Sequence, residues 1–178
     1  QDIEFLVDGV PINEIANPHN HGYADLHFIP PEMVLSVAIT EGAFDPEQGD
    51  FAFAGTAEYR LGLAETGARV SYSYGMRNTQ RTLMMYAPYE KNQGSFAGFE
   101  YFTTDGYGKN HAAKRALGLG RLEGDLGKNH FKYSLSIYGY AARYDQPGAI
   151  RNDDFESKTI GFYDTYDPNQ GGESNRML

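Results

Sequence analysis

Apolar and polar side chains alternate with a period of two over long stretches of the second half of the chain. In residues 68–77, apolar side chains such as Val70 and Tyr72 alternate with Arg, Ser and Gly. In residues 131–137, Phe, Tyr, Leu and Ile alternate with Lys and Ser. This period is typical of a strand with one apolar and one polar face. A lipid-facing membrane strand and a strand of a soluble sandwich both have it, so the pattern alone leaves both open.

Three further strands are predicted in this half, at residues 83–87, 95–103 and 114–122. A compact turn is predicted at 123–129, and a long polar connection at 145–170. The long connection exceeds the usual loop length in compact domains. Outer-membrane barrels combine short turns at one end with long loops at the other, so residues 145–170 are expected to form an outside loop.

The first part of the chain has shorter and less regular elements. Strands are predicted at 3–7, 35–40 and 55–63, with a turn at Asp8-Gly9 and a short helical turn beginning near Pro31. Polar loops separate these strands. Clean alternation begins only near residue 67, which predicts a domain boundary between residues 1–64 and 65–178. The predicted fold class is dominated by β structure throughout.

Composition narrows the class of protein. Tyr (14), Phe (11) and Gly (21) are abundant, which favours strands and tight turns. The chain has no Cys, so disulfides and thiolate chemistry are excluded. A net charge of -9 argues against a nucleic-acid partner. Gln1 begins the sequence without a signal-peptide pattern, and an apolar pattern continues at its end, so we expect an internal piece of a longer protein.

Catalytic motifs are missing from the sequence. It has no Ser-centred elbow, no His-Glu-x-x-His and no phosphate-binding loop, so we predict that the protein is not an enzyme. His19, His21 and His27 lie close together, but their spacing matches no metal motif and a fourth ligand is not evident. We therefore predict no metal site and no cofactor.

Acidic residues concentrate in the predicted outside loop, where oxygen ligands could in principle hold Ca²⁺. The candidate oxygen ligands are Asp153, Asp154, Asp164, Asp167 and Asn169. Their spacing differs from that of an EF-hand loop. A solvated acidic loop is the favoured interpretation.

Four segments in order resemble the plug domain of TonB-dependent outer-membrane receptors. Residues 5–13 (Phe-Leu-Val-Asp-Gly-Val-Pro-Ile-Asn) resemble a plug segment built around Asp-Gly. An Asp-Leu at 25–26 and an Ile-Pro-x-x-x-Val at 29–34 follow at the family's distance. Residues 37–43 and 54–59 then align with two later plug segments. The departures are Glu41 for the usual Arg, Ala43 for Pro and Gln48 for Tyr, which indicate a divergent branch.

The resemblance implies the fold and the function. Residues 1–64 would be the C-terminal part of a small α+β plug domain, and residues 65–178 the first antiparallel strands of an incomplete outer-membrane β-barrel. Such receptors import scarce nutrients, for example a siderophore, cobalamin, an oligosaccharide or a peptide, through a barrel of about 22 strands. The implied partners are outer-membrane lipid of a Gram-negative bacterium, the nutrient, and the inner-membrane TonB complex, which would pull on an N-terminal segment missing from this sequence.

The resemblance also implies where cargo is bound. Residues 13–25 match the plug loop that reaches the outward apex in relatives, so the implied ligand contacts are Asn17, His19, Asn20, His21 and Tyr23. These residue types are equally common in solvated turns, and that interpretation stays open. Two alternative functions remain: a soluble all-β ligand-binding module, and an outer-membrane binding protein that does not transport.

Overall fold

The computed structural model of the chain describes residues 2–17, 21–89, 94–126 and 131–177. Strands make up 52% of the described residues, and the described helical structure is one five-residue α-helix and a 3₁₀ turn. This confirms the prediction of a chain dominated by β structure. The chain divides into two compact units, residues 1–66 and 67–178, which are described separately.

The first unit is built around a four-stranded mixed sheet. Its strands are β1 (Ile3–Val7), β2 (Val10–Pro11), β3 (Val34–Glu41) and β4 (Gly55–Leu61). The order across the sheet is β2, β1, β4, β3, and β1 and β4 are parallel. A 3₁₀ turn at Pro31–Met33 precedes β3, as the double proline predicts. The buried core beneath includes Val7, Phe28, Met33 and Leu61.

Asp8 and Gly9 form the tight turn between β1 and β2. Both residues have a positive φ, 49° and 78°, which two-residue hairpin turns require and which Asp-Gly adopts readily. The Asp8 carboxylate also accepts the N–H of Leu61 at 3.0 Å, and the Asp8 N–H donates to the carbonyl of Tyr59 at 2.9 Å. The turn therefore fixes the first hairpin to β4.

The second unit is a six-stranded antiparallel meander. Its strands are β5 (Gly67–Gly75), β6 (Thr79–Ala87), β7 (Phe96–Thr104), β8 (Ala113–Leu126), β9 (Phe131–Asp145) and β10 (Gly171–Met177). Each strand pairs with the next one along the chain. β5 and β10 are the two edges, so the described strands do not close a barrel.

β8 is longer than the sequence predicts. The predicted turn at residues 123–129 is wrong in its first half, because Glu123 pairs with Ser134 and Gly124 with Tyr133 as ordinary strand positions. The Tyr133 side chain lies directly against Gly124, where a Cβ would meet the phenol oxygen at 2.4 Å. An aromatic ring that covers a glycine in this way compensates for its missing side chain. The strand therefore continues through the Gly-Asp pair that suggested a turn.

The connection between β9 and β10, residues 146–170, is ordered and includes α1 (Asn152–Glu156). It packs against the connection between β7 and β8, residues 105–112. The Asn110 amide donates to the carbonyls of Gln146 at 2.6 Å and Gln170 at 2.7 Å, and the Lys109 N–H donates to the carbonyl of Tyr163 at 2.8 Å. These bonds hold both ends of the long connection together.

Candidate functional site

A closed loop carries the predicted ligand contacts. The Glu14 N–H donates to the carbonyl of Tyr23, and the Gly22 N–H donates to the carbonyl of Glu14, both at 2.8 Å. Asn13 anchors the base of this loop: its side-chain oxygen accepts the N–H of Phe5 at 2.7 Å, and its amide donates to the carbonyls of Ile3 and Gly22. The loop is therefore fixed to β1 at its base.

Three of the five predicted ligand residues lie in the described part of this loop. The Asn17 amide donates to the Glu14 carboxylate at 2.5 Å. The exposed His21 ring has Nδ1 2.9 Å from the carbonyl of Ile15, and Tyr23 is half-buried at the closing pair. His19 and Asn20 lie outside the described residues. Asn17, His21 and Tyr23 thus belong to one loop, and internal bonds hold the side chains of Asn17 and His21.

The clustered histidines do not form a metal site in the part of the chain that the structure describes. His27 pairs with Asp25, with Nδ1 2.7 Å from the carboxylate. His19 lies outside the described residues. Among residues 2–17, 21–89, 94–126 and 131–177, no three His, Cys, Asp or Glu side chains are grouped so that they could hold a metal ion.

The acids of the long connection bond within the protein. Arg151 forms a two-point ion pair with Asp153, at 2.6 and 3.0 Å, which holds the pKa of Asp153 below its usual value. The hydrogen bond from Lys109 to Asp164, at 2.8 Å, likewise lowers the pKa of Asp164. The Tyr166 hydroxyl donates to Asp154 at 2.5 Å, which raises the pKa of Tyr166. These contacts tie the three carboxylates Asp153, Asp154 and Asp164 to neighbouring side chains within the protein.

One face of the second unit, here called the apolar face, is covered by large exposed side chains. Strand register places them on the same side of all six strands. They are Val70, Tyr72, Tyr74, Met84, Tyr86, Phe99, Tyr101, Leu122, Phe131, Tyr133, Leu135, Ile137 and Met177. The face is continuous across the whole sheet.

A row of mostly polar residues bounds this face at one end. The register brings one residue from each strand into this row, here called the polar row. Its members are Tyr74, Gln80, Thr103, Lys114, Arg143 and Glu173. Arg143 forms an exposed ion pair with Glu173. The connections 76–78, 105–112 and 146–170 leave the sheet at this same end.

The opposite face, here called the ionic face, holds a buried carboxylate between two arginines. Glu100 is 1% exposed and accepts bonds from Arg81 Nε at 2.7 Å and Arg115 Nε at 2.8 Å. The Arg115 guanidinium lies 4.7 Å from the centre of the Phe102 ring. Sequence reasoning missed this cluster. The sequence feature that could have indicated the cluster is a single acid, Glu100, within the aromatic-rich strand β7. Only the register of β6, β7 and β8 shows which arginines bind this acid.

No protein-family model matches the chain, and no curated protein matches it significantly. Within the described residues, no α-helix has the length and apolar character needed to cross a membrane.

Proposed function

We propose that the chain forms part of a TonB-dependent outer-membrane receptor. Residues 1–64 would supply the C-terminal part of its plug domain, and residues 65–178 the first strands of its barrel wall. The receptor would take up a scarce nutrient such as a siderophore, cobalamin, an oligosaccharide or a peptide. The observation that carries the proposal is the continuous apolar face of the second unit.

Exposure of this face supports contact with lipid. Val70, Tyr72 and Leu135 are 69%, 61% and 66% exposed, and Tyr133 is 42% exposed. A water-soluble monomer rarely exposes an apolar patch larger than a few hundred Å². A sandwich module would bury such side chains against a second sheet. Their exposure therefore favours a lipid-facing wall over the alternative of a soluble binding module.

The height of the apolar face also fits a membrane. Along β9 it extends from Phe131 to Ala141, which at about 3.4 Å per residue is roughly 34 Å of strand. A membrane strand tilted by about 45° would then span roughly 24 Å, close to the ~25 Å apolar band of outer-membrane barrels. The polar row follows immediately beyond Ala141, where a membrane strand should meet the headgroups. The longest connection, 146–170, leaves from that end, as an extracellular loop would.

The first unit supports the plug assignment through the placement of the motif residues. The motif 5–13 forms β1, the Asp-Gly turn and the anchor Asn13, and the loop that follows is closed on itself. We propose that this loop contacts cargo through Asn17, His21 and Tyr23, together with His19 and Asn20 outside the described residues.

Surface labelling in intact cells tests the orientation. The chain has no Cys, so a single introduced Cys is a unique target in this segment. Ser157 lies in the long connection 146–170, and Tyr89 is exposed in the connection at the opposite end of the sheet. Each is replaced by Cys in a separate variant. In the whole protein, a polyethylene glycol maleimide too large for porins should label Ser157→Cys in intact cells, and Tyr89→Cys only after the outer membrane is permeabilised. Equal labelling of both in intact cells would contradict the proposal.

Uptake separates a transporter from an outer-membrane protein that only binds. Deletion of the gene should abolish growth on one limiting nutrient, and inactivation of the inner-membrane TonB complex should reproduce that defect. If the protein binds the nutrient at the cell surface but uptake does not depend on the TonB complex, the non-transporting alternative is correct.

A further inference from the structure

An open groove crosses the apolar face where large side chains are missing. Its floor is formed by Ala116 and Gly118 of β8 and by Gly139 and Ala141 of β9, with Phe99 on its wall. The groove has a volume of about 540 Å³ and is mainly apolar.

The groove continues into a second depression that carries positive charge. This depression, of about 300 Å³, shares Ala116 and Ala141 with the groove and is lined by Lys114, Arg143 and Glu173 of the polar row. Lys114 and Arg143 are directly opposite each other on neighbouring strands, so their side chains lie on one face. The groove therefore has an apolar body and a basic end.

Lys114 and Arg143 differ in whether a carboxylate pairs with them. Arg143 forms its ion pair with Glu173. Lys114 is exposed, and none of the carboxylates in the described ranges pairs with it. Two cations against one carboxylate leave a net positive charge at the end of the groove. An anionic group would relieve the repulsion between the opposed Lys114 and Arg143.

We propose that this groove binds an anionic membrane lipid, with one acyl chain on the small-residue floor and the phosphate against Lys114 and Arg143. An amphiphile of this kind matches both ends of the groove at once, whereas a free phosphate matches only the basic end. The backbone groups of β8 and β9 pair with neighbouring strands, so strand addition by a peptide is not possible there. The site rests on the proposed function, because it requires the apolar face to meet lipid.

Lipid retention by the whole protein tests the site. The protein is placed in non-ionic detergent micelles with equal amounts of phosphatidylglycerol and phosphatidylcholine that carry identical acyl chains, and native mass spectrometry counts the retained lipids. The wild-type protein should retain phosphatidylglycerol preferentially. Lys114→Gln should reduce that preference about fivefold, as expected for one cation near a headgroup. Lys132→Gln, an exposed lysine on the ionic face, is the matched control and should have no effect.

A second pair of variants tests the groove itself. A Cβ at Gly118 meets nothing within 4 Å, so Gly118→Leu fills the floor without a backbone clash and should reduce retention of both lipids. Gly120→Leu, on the same face of β8 but outside the groove, is the control and should retain the lipids. Circular dichroism verifies that both variants keep their β structure.

The possible results distinguish a failure of the lipid site from a failure of the proposed receptor function. Equal retention of the two lipids, or no effect of Lys114→Gln and Gly118→Leu, would overturn the lipid site and leave the lipid-facing wall standing. Displacement of phosphatidylglycerol by inorganic phosphate, with Gly118→Leu unaffected, would reduce the site to a simple anion site and overturn the inference. If the wild-type protein retains neither lipid, the lipid site is overturned, whereas the proposed function stands or falls with the labelling of Ser157→Cys and Tyr89→Cys in intact cells.

Discussion

Replacing Glu100 with glutamine removes the carboxylate that Arg81 and Arg115 share on the ionic face. The glutamine has nearly the same size, so packing around the side chain is preserved. Its amide oxygen can still accept from one arginine, but its amide nitrogen then faces the other as a second donor. Both guanidiniums thus lose their negatively charged partner, and one of them also loses its hydrogen bond, while their own charges stay in place.

The loss of unfolding free energy depends on how deeply the ion pairs of Glu100 are buried. Removing one partner of a fully buried ion pair costs about 3–5 kcal/mol. Arg81 and Arg115 are 26% and 30% exposed, so water can partly hydrate the abandoned charge. We therefore expect Glu100→Gln to lower the free energy of unfolding by about 2–4 kcal/mol. Glu173→Gln, which breaks the exposed pair with Arg143, should cost less than about 1 kcal/mol.

Denaturant unfolding of the full chain, followed by far-UV circular dichroism, measures both values. The triple variant Glu100→Leu, Arg81→Leu and Arg115→Leu removes all three charges together and should recover most of the loss, because no unpaired charge remains. If Glu100→Gln unfolds with the same free energy as the wild-type chain and Glu173→Gln, the buried cluster does not stabilise the sheet and the reasoning is wrong.

Three further changes test other parts of the structure. Asn110→Ala should increase amide hydrogen exchange throughout residues 146–170, because it removes the bonds that hold both ends of that connection. Gly55→Ala should destabilise the first unit in thermal unfolding, since φ is +138° and the added Cβ would lie 2.1 Å from the carbonyl of Thr40. The depressed pKa of Asp164 means that its bond with Lys109 stabilises the connection above the unfolded pKa near 3.8 and is lost as the pH falls through the lower folded value. The protection factors of the amides in residues 146–170, which compare each exchange rate with the intrinsic rate at the same pH, should therefore fall in acid. They should not show this fall in Asp164→Asn, which is already without that charge.

Local patterns predicted most strands, because side-chain periodicity is a property of consecutive residues. β5 and β9 follow directly from their alternation, and the Asp8-Gly9 turn follows from the backbone preferences of its two residues. The end of β8 was not predictable in this way. Gly124 and Asp125 are turn formers by themselves, and only pairing with Tyr133 and Lys132 of β9 keeps them in a strand.

The sites depended on contacts between distant residues. Glu100 meets Arg81 and Arg115 only because three strands align in one register. The basic end of the groove likewise requires Lys114 and Arg143 to be opposite each other across β8 and β9. Periodicity shows which face a residue occupies but not which residue of the next strand it meets. The loop at residues 13–25 was selected only by family resemblance, and its contact with cargo remains a prediction.

The orientation of β9 in a bilayer tests the central claim most directly. The chain contains no Trp, so Leu135→Trp on the apolar face and Ser136→Trp on the ionic face each provide a single indole in it. In bilayers that contain brominated phosphatidylcholine, we expect a blue-shifted and strongly quenched emission for Leu135→Trp and little quenching for Ser136→Trp. Equal quenching of the two, or quenching of Ser136→Trp alone, would contradict a wall whose apolar face meets lipid.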